Sequence, residues 1–293
     1  MTTTTAVIII GHGTTDTCGV EQFFAMVRAL QSRDAASTYY ASFMELAAPS
    51  IEDAVTQAVR DGHRDVLCQP ALLLTAGHAK NDLPAIIRAI AARHPGVKVR
   101  YGSPLNLSAE LVSLCAHQVR EATPGLDFSR CTLLVVGRGT SDPDANSNVS
   151  KLARMLEEGL GFRESAVCYF STTHPRLPEG LERMARRAEG PIVAFPLILF
   201  SGVLNNQLDE ELSRVRHLVP AAQFFRTPPF GNIAQFVEVF LLRVKSSIEN
   251  TDILPCLLCK YRAPMPGKEH EVGQPLPSSH DHSHDHPHDD PGN

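Results

Sequence analysis

The chain repeats itself. A strand-length apolar run that closes on a glycine turn, VIIIGHGT at 7–14, returns as LLVVGRGT at 133–140. Further on, QPALLLTAGHAKNDL at 69–83 returns as AFPLILFSGVLNNQL at 194–208. The offset there is 125, pairing Gly77 with Gly202, Asn81 with Asn206 and Leu83 with Leu208. It holds to the end of each copy, where Leu111, Val112, Cys115 and Val119 fall on Phe236, Val237, Phe240 and Val244. Those positions are i, i+1, i+4 and i+8, one apolar face of a helix in each copy. Register kept across a strand, a loop and a helix marks a duplicated domain. The copies meet near 124–130, so the expected domains are 1–127 and 128–250, with a tail over 251–293.

Within the first copy, strand and helix patterns alternate. Strands are expected at 6–10, 38–43, 65–74 and 97–101. Helices are expected around 21–33, 49–60, 79–94 and 108–122. This alternation is the pattern of an α/β fold, here two domains that are each a parallel sheet flanked by helices. A chain of 293 residues is long enough for two such cores with a cleft between them.

The duplication is most informative where it fails. His12 and His78 both follow an apolar run and a glycine, at strand ends, where open α/β sheets bind ligands. In the second copy Arg138 stands for His12 and Val203 for His78. Histidines that the fold required would be needed twice, so the pair is read as chemistry. Glu45, just past the second strand, lies within reach of the same cleft and corresponds roughly to the region around His174.

Composition removes several classes. One lysine and six acids after residue 262 carry the whole net charge of −5, which leaves a neutral body with no footprint for nucleic acid. No apolar run reaches the length of a transmembrane helix, and MTTTT lacks a charged signal region, so a cytoplasmic protein without a membrane partner is expected. Seven cysteines argue against a disulfide framework. Cys18, Cys68, Cys115, Cys131 and Cys168 read as small buried hydrophobes.

The tail carries two motifs. Cys256 and Cys259 form the single C-x-x-C, two ligands of the four a closed site needs. His280, His282, His284, His286 and His288 are interleaved with Asp, Ser and Pro, a composition that binds divalent metals loosely and suggests a reservoir.

Together, IIIGHGT, the LLLTAGHAKNDLP block, the internal duplication, the C-x-x-C and the His-rich end resemble the chelatase superfamily, specifically its long-form CbiX-type sirohydrochlorin cobaltochelatases. The resemblance covers nearly the whole chain and implies two chelatase-like domains, the second degenerate. It implies that His12 and His78 hold the incoming metal, Co(II) as substrate, and that one of them, assigned to His12, is the base. It places substrate contacts at Glu45 and on the loop Leu72, Leu73, Leu74, Thr75, Ala76 and Gly77. Some long forms carry an iron–sulfur cluster at a Met-x-Cys-x-x-Cys motif. Here Ile253, Leu254 and Pro255 precede Cys256 with no methionine.

The residue types suit that chemistry. Metal insertion replaces two pyrrole N–H protons by a divalent cation, and neutral imidazoles hold such a cation less tightly than thiolates would. Histidine also titrates near neutral pH. The G-x-x-x-x-G-K-[ST] pattern of a nucleotide-binding loop is absent. Helix N-termini after GHGT and LTAG are expected to receive the carboxylates of the tetrapyrrole. Nickel or iron as the metal, a non-enzymatic metal-delivery protein, a phosphohydrolase, and the choice of monomer or homodimer remain open at this level.

Overall fold

The computed structural model describes residues 4–232, 234–251, 261, 267 and 269–274. Two all-parallel four-stranded sheets make up the frame. In the first, β1 (Thr5–Gly11), β2 (Ser37–Phe43), β3 (Asp65–Pro70) and β4 (Lys98–Tyr101) lie in the order 2-1-3-4. In the second, β5 (Thr132–Gly137), β6 (Glu164–Tyr169), β7 (Ile192–Pro196) and β8 (Phe224–Arg226) lie in the order 6-5-7-8. The helices are α1 (Thr17–Arg33), α2 (Ile51–Arg60), α3 (Leu83–Arg93), α4 (Ala109–Ala122), α5 (Pro143–Leu160), α6 (Leu177–Arg187), α7 (Val203–Leu218) and α8 (Ala234–Ile248).

The unbroken apolar run of β1 has a direct cause. Both faces of the strand are covered, and residues 6 to 10 expose no surface. Val7 and Ile9 pack with Phe23 of α1, while Ala6, Ile8 and Ile10 pack with Val55 of α2 and Ile87 of α3.

The last helix of each copy crosses to the other lobe. α4 packs on α5, and α8 packs on α1 and β3. One continuous core therefore joins Val7, Phe23 and Leu67 to Leu133, Phe195 and Phe240. Hydrogen bonds hold the exchanged helices. Arg100 of β4 donates to the carbonyls of Ser247 and Ile248 at 3.2 and 3.0 Å, and Arg243 donates to the Leu105 carbonyl at 2.9 Å. The sequence repeat, cut at 127/128, thus differs from the units of packing. Periodicity along the chain reports which face of a helix is buried, not which sheet buries it.

Several local expectations are corrected. β3 ends at Pro70, not at 74; the Ala71 N–H makes one more bond, to Ile10, and the chain then leaves the sheet. α1 begins at Thr17 and α2 at Ile51, because Asp16 and Ser50 cap them. The helix expected over 79–94 begins with a π turn, His78–Asp82, before α3. Cys18 is exposed, whereas Cys68, Cys115, Cys131 and Cys168 are buried.

The loop before the π turn differs in length between the two copies. Ile10 pairs with Pro70 and Val136 with Pro196, so the strands correspond at an offset of 126, not the 125 read through residue 69. From Gly77 and Gly202 onward the offset is 125. The first lobe therefore holds one extra residue between Pro70 and Gly77, in the loop that leads into the π turn. Such turns gather at functional sites.

Among the described residues, no helix is long and apolar enough to cross a membrane. The expected metal or cluster ligands Cys256 and Cys259, and the reservoir histidines His280, His282, His284, His286 and His288, lie outside the described residues.

Candidate metal-handling site

His12 leaves β1 just past its C-terminal end, followed by Gly13 at φ 97°. A Cβ at Gly13 would collide with the Glu45 carbonyl oxygen, so glycine is what lets the two loops touch. The Glu45 N–H donates to the His12 carbonyl at 3.2 Å, and Leu46 turns the loop with φ 61°. This brings the Glu45 carboxylate to 3.5 Å from His12 Nε2.

His78 reaches the same place from β3. It opens the π turn, in which Leu83 N–H donates to the His78 carbonyl. The rings of His12 and His78 meet edge to face, with centroids 5.1 Å apart and an interplanar angle of 79°. His78 Nδ1–H donates to Asp82 Oδ2 at 2.7 Å, four residues on, which fixes the orientation of the ring. His12 Nδ1 makes a 3.3 Å contact with the Gly13 carbonyl. Its Nε2 is buried without a hydrogen bond.

Electrostatics keep His12 neutral. Burial pushes its pKa down to about 4, and the charges of Arg138 and His78 act in the same direction against the opposing pull of Glu45. At neutral pH its 3.5 Å contact with Glu45 is therefore not an ion pair. A cation between them would find an imidazole on one side and a carboxylate on the other. Two imidazoles and one carboxylate form an oxygen–nitrogen donor set suited to divalent first-row metals. Among the described residues, no three His, Cys, Asp or Glu side chains converge as a group that could hold a metal ion, so His12, His78 and Glu45 stand near one another without forming a metal site as they are placed.

Arg138 stands in the second lobe where His12 stands in the first. Its carbonyl accepts from the Ser171 N–H at 2.9 Å, as the His12 carbonyl does from Glu45, and Gly139 (φ 84°) repeats Gly13. Thr172, at φ 62°, repeats Leu46. The true counterpart of Glu45 is thus Ser171, three residues before His174. Val203, the counterpart of His78, is exposed.

The six loop residues expected to contact substrate do not all face the cleft. Leu73 and Thr75 are buried, and Thr75 donates to the Asn106 side chain. Leu72 packs against the first lobe's own core and Leu74 against the core that both lobes share. Ala76 and Gly77 remain partly exposed beside His78. One of the two helix N-termini expected to bind anions is occupied: Asp16 caps α1 and accepts from Gly19 N–H at 2.7 Å. The π turn, with Gly77 before it, has no side-chain cap.

Sequence reading passed over Asp82 and treated Arg138 only as a replacement. The spacing of His78 and Asp82, four residues apart on one helix face, is the signal that could have found the first.

A duplicated parallel α/β fold, with facing imidazoles at the rim of one lobe and none in the other, defines a two-lobed chelatase. The CbiX family profile matches twice, over residues 6–122 and 132–247. The chain belongs to the CbiX family. It is 31% identical over 210 residues to a sirohydrochlorin ferrochelatase of Priestia megaterium, covering 72% of this chain and 79% of that one. It is also 29% identical over 259 residues to a sirohydrochlorin cobaltochelatase of Priestia megaterium, covering 88% and 84%. Among solved structures, SirB from Bacillus subtilis with Fe3+ superposes with a TM-score of 0.75 at 27% identity, covering 84% of this chain and 96% of that chain.

Proposed function

We propose that the chain inserts Co(II) into sirohydrochlorin without a nucleotide, with His12, His78 and Glu45 handling the metal. The coarser reading, a sirohydrochlorin chelatase, rests on family membership and on relatives whose names include both iron and cobalt. Cobalt is carried over from the sequence resemblance, since imidazole and carboxylate donors take cobalt, iron and nickel alike. The observation that carries the reading is the buried, unpartnered Nε2 of His12 beside the Glu45 carboxylate.

His12 and His78 present bare Nε2 atoms to the metal, and Glu45 supplies charge. Insertion releases two pyrrole protons for one divalent cation. His78 Nε2, freed as the metal moves to the macrocycle, accepts one proton, and Asp82 stabilises the imidazolium that forms. The other leaves to solvent. His12, with its pKa pushed down to about 4, is a poor proton acceptor. The base role expected for it from the sequence falls to the His78–Asp82 pair, and His12 keeps the role of metal donor. Carboxylates of the tetrapyrrole are received by Arg138 and the uncapped start of the π turn.

The test is an anaerobic absorbance assay of the full-length protein with sirohydrochlorin and Co(II), Fe(II) and Ni(II) in competition. The expected result is fastest formation of the cobalt product, with a loss on the order of 100-fold in His12→Ala. Faster iron or nickel insertion would reassign the metal. Tight cobalt binding with no change in the tetrapyrrole spectrum would make the chain a delivery protein.

A further inference from the structure

The most buried charges among the described ion pairs lie between the lobes, next to the candidate site but outside its donor set. Lys80 Nζ sits 2.7 Å from Asp142 Oδ2 and 2.7 Å from Asp144 Oδ2. The side chains of Lys80 and Asp142 are 2% and 1% exposed, and that of Asp144 is 11% exposed. Burial works against the Lys80 charge, but the two carboxylates beside it outweigh that and raise its pKa. Lys80 belongs to the π turn, two residues after His78. Asp142 caps α5 and Asp144 lies in its first turn, both in the second lobe.

The cluster exists on one side only. By the repeat, Lys80 corresponds to Asn205, and Asp142 and Asp144 to Asp16 and Cys18. The mirrored junction is held instead by neutral contacts, with Gln22 bonded to Ser201 at 3.0 and 2.8 Å. The charged clamp therefore accompanies the lobe that has the histidines and the extra residue. A π turn is a poor helix on its own and needs outside support to keep one geometry. A buried charge cluster can fix one arrangement of its surroundings without adding stability.

We propose that Lys80 is a positioning residue: held between Asp142 and Asp144 of the second lobe, it fixes the π turn so that the His78 imidazole meets His12. The role rests on the reading of His12 and His78 as the metal-handling pair. It makes metal affinity depend on how the lobes are docked.

The experiment compares full-length wild type, Lys80→Met, the triple variant Lys80→Met/Asp142→Asn/Asp144→Asn, and His78→Ala. Each is titrated with Co(II) well below its own Tm, on protein shown folded by circular dichroism. Lys80→Met strands two buried carboxylates and is expected to lower Tm and weaken cobalt binding by about tenfold. The triple variant removes the stranded charges, while the side-chain amide oxygen introduced by Asp142→Asn still accepts at the α5 N-terminus. Its Tm is expected to return toward wild type while cobalt affinity stays about tenfold weaker. Wild-type cobalt affinity in the folded triple variant, with loss in His78→Ala, overturns the positioning role alone. Wild-type affinity in both overturns the metal-site reading as well.

Discussion

Arg138 occupies in the second lobe the backbone position that His12 occupies in the first, and its charge acts on the His12 imidazole. The two side chains come from one duplicated turn and have opposite uses: a neutral donor on one rim, a fixed cation on the other. Removing the cation tests the link. In Arg138→Gln the His12 pKa should rise from about 4 yet stay below 6.5, because burial is its largest cause. Proton NMR titration of the His12 ring reads this. The KM for the tetrapyrrole should rise with it, since a carboxylate partner is lost.

The same depressed pKa makes folding stability depend on pH. The unfolded chain binds a proton at His12 below pH 6.5, and the folded chain does so only below about 4. Stability contributed by this residue therefore rises with pH between those values and is lost as pH falls through the window. The expected size is about 2 kcal/mol, after allowance for solvent at the partly exposed ring. Urea unfolding at several pH values should show a steeper rise in wild type than in His12→Ala.

Asp82 is expected to matter through His78 alone. Asp82→Asn keeps a hydrogen-bonding side chain but removes the carboxylate that accepts from the His78 ring. Cobalt affinity should fall about 10- to 100-fold, as for other partners of metal-binding histidines. Calorimetric titration measures it, and an unchanged affinity would remove Asp82 from the site.

Glycine substitutions separate the two lobes. A Cβ at Gly13 meets the Glu45 carbonyl, and one at Gly139 meets the Ser171 carbonyl. Gly13→Ala and Gly139→Ala should each destabilise by about 1–3 kcal/mol. Only Gly13→Ala should also weaken cobalt binding, because only it displaces Glu45. Thermal melts paired with metal titrations distinguish the outcomes.

Much of this architecture was legible in the chain. The apolar runs of β1, β3, β5 and β7 announce strands buried on both faces, and a repeated register announces two copies. The loss of His12 and His78 from the second copy pointed to the pair that the fold brings within 5.1 Å. Other features were hidden for physical reasons. Lys80 reads as a solvated lysine until the second lobe covers it. α8 shows its apolar face in sequence, but β3, its partner, lies far earlier in the chain. The shift between offsets of 126 and 125 is silent in composition, yet it lengthens the loop that leads to His78.

The paired turns at Gly13 and Gly139 have one more consequence. Their conformation is set by glycine and by a neighbouring carbonyl, not by the side chain between them. Residue 138 is therefore a socket: whatever side chain is fitted there is carried to the gap on an unchanged mount. The donor chemistry of one wall can be rewritten without rebuilding the wall.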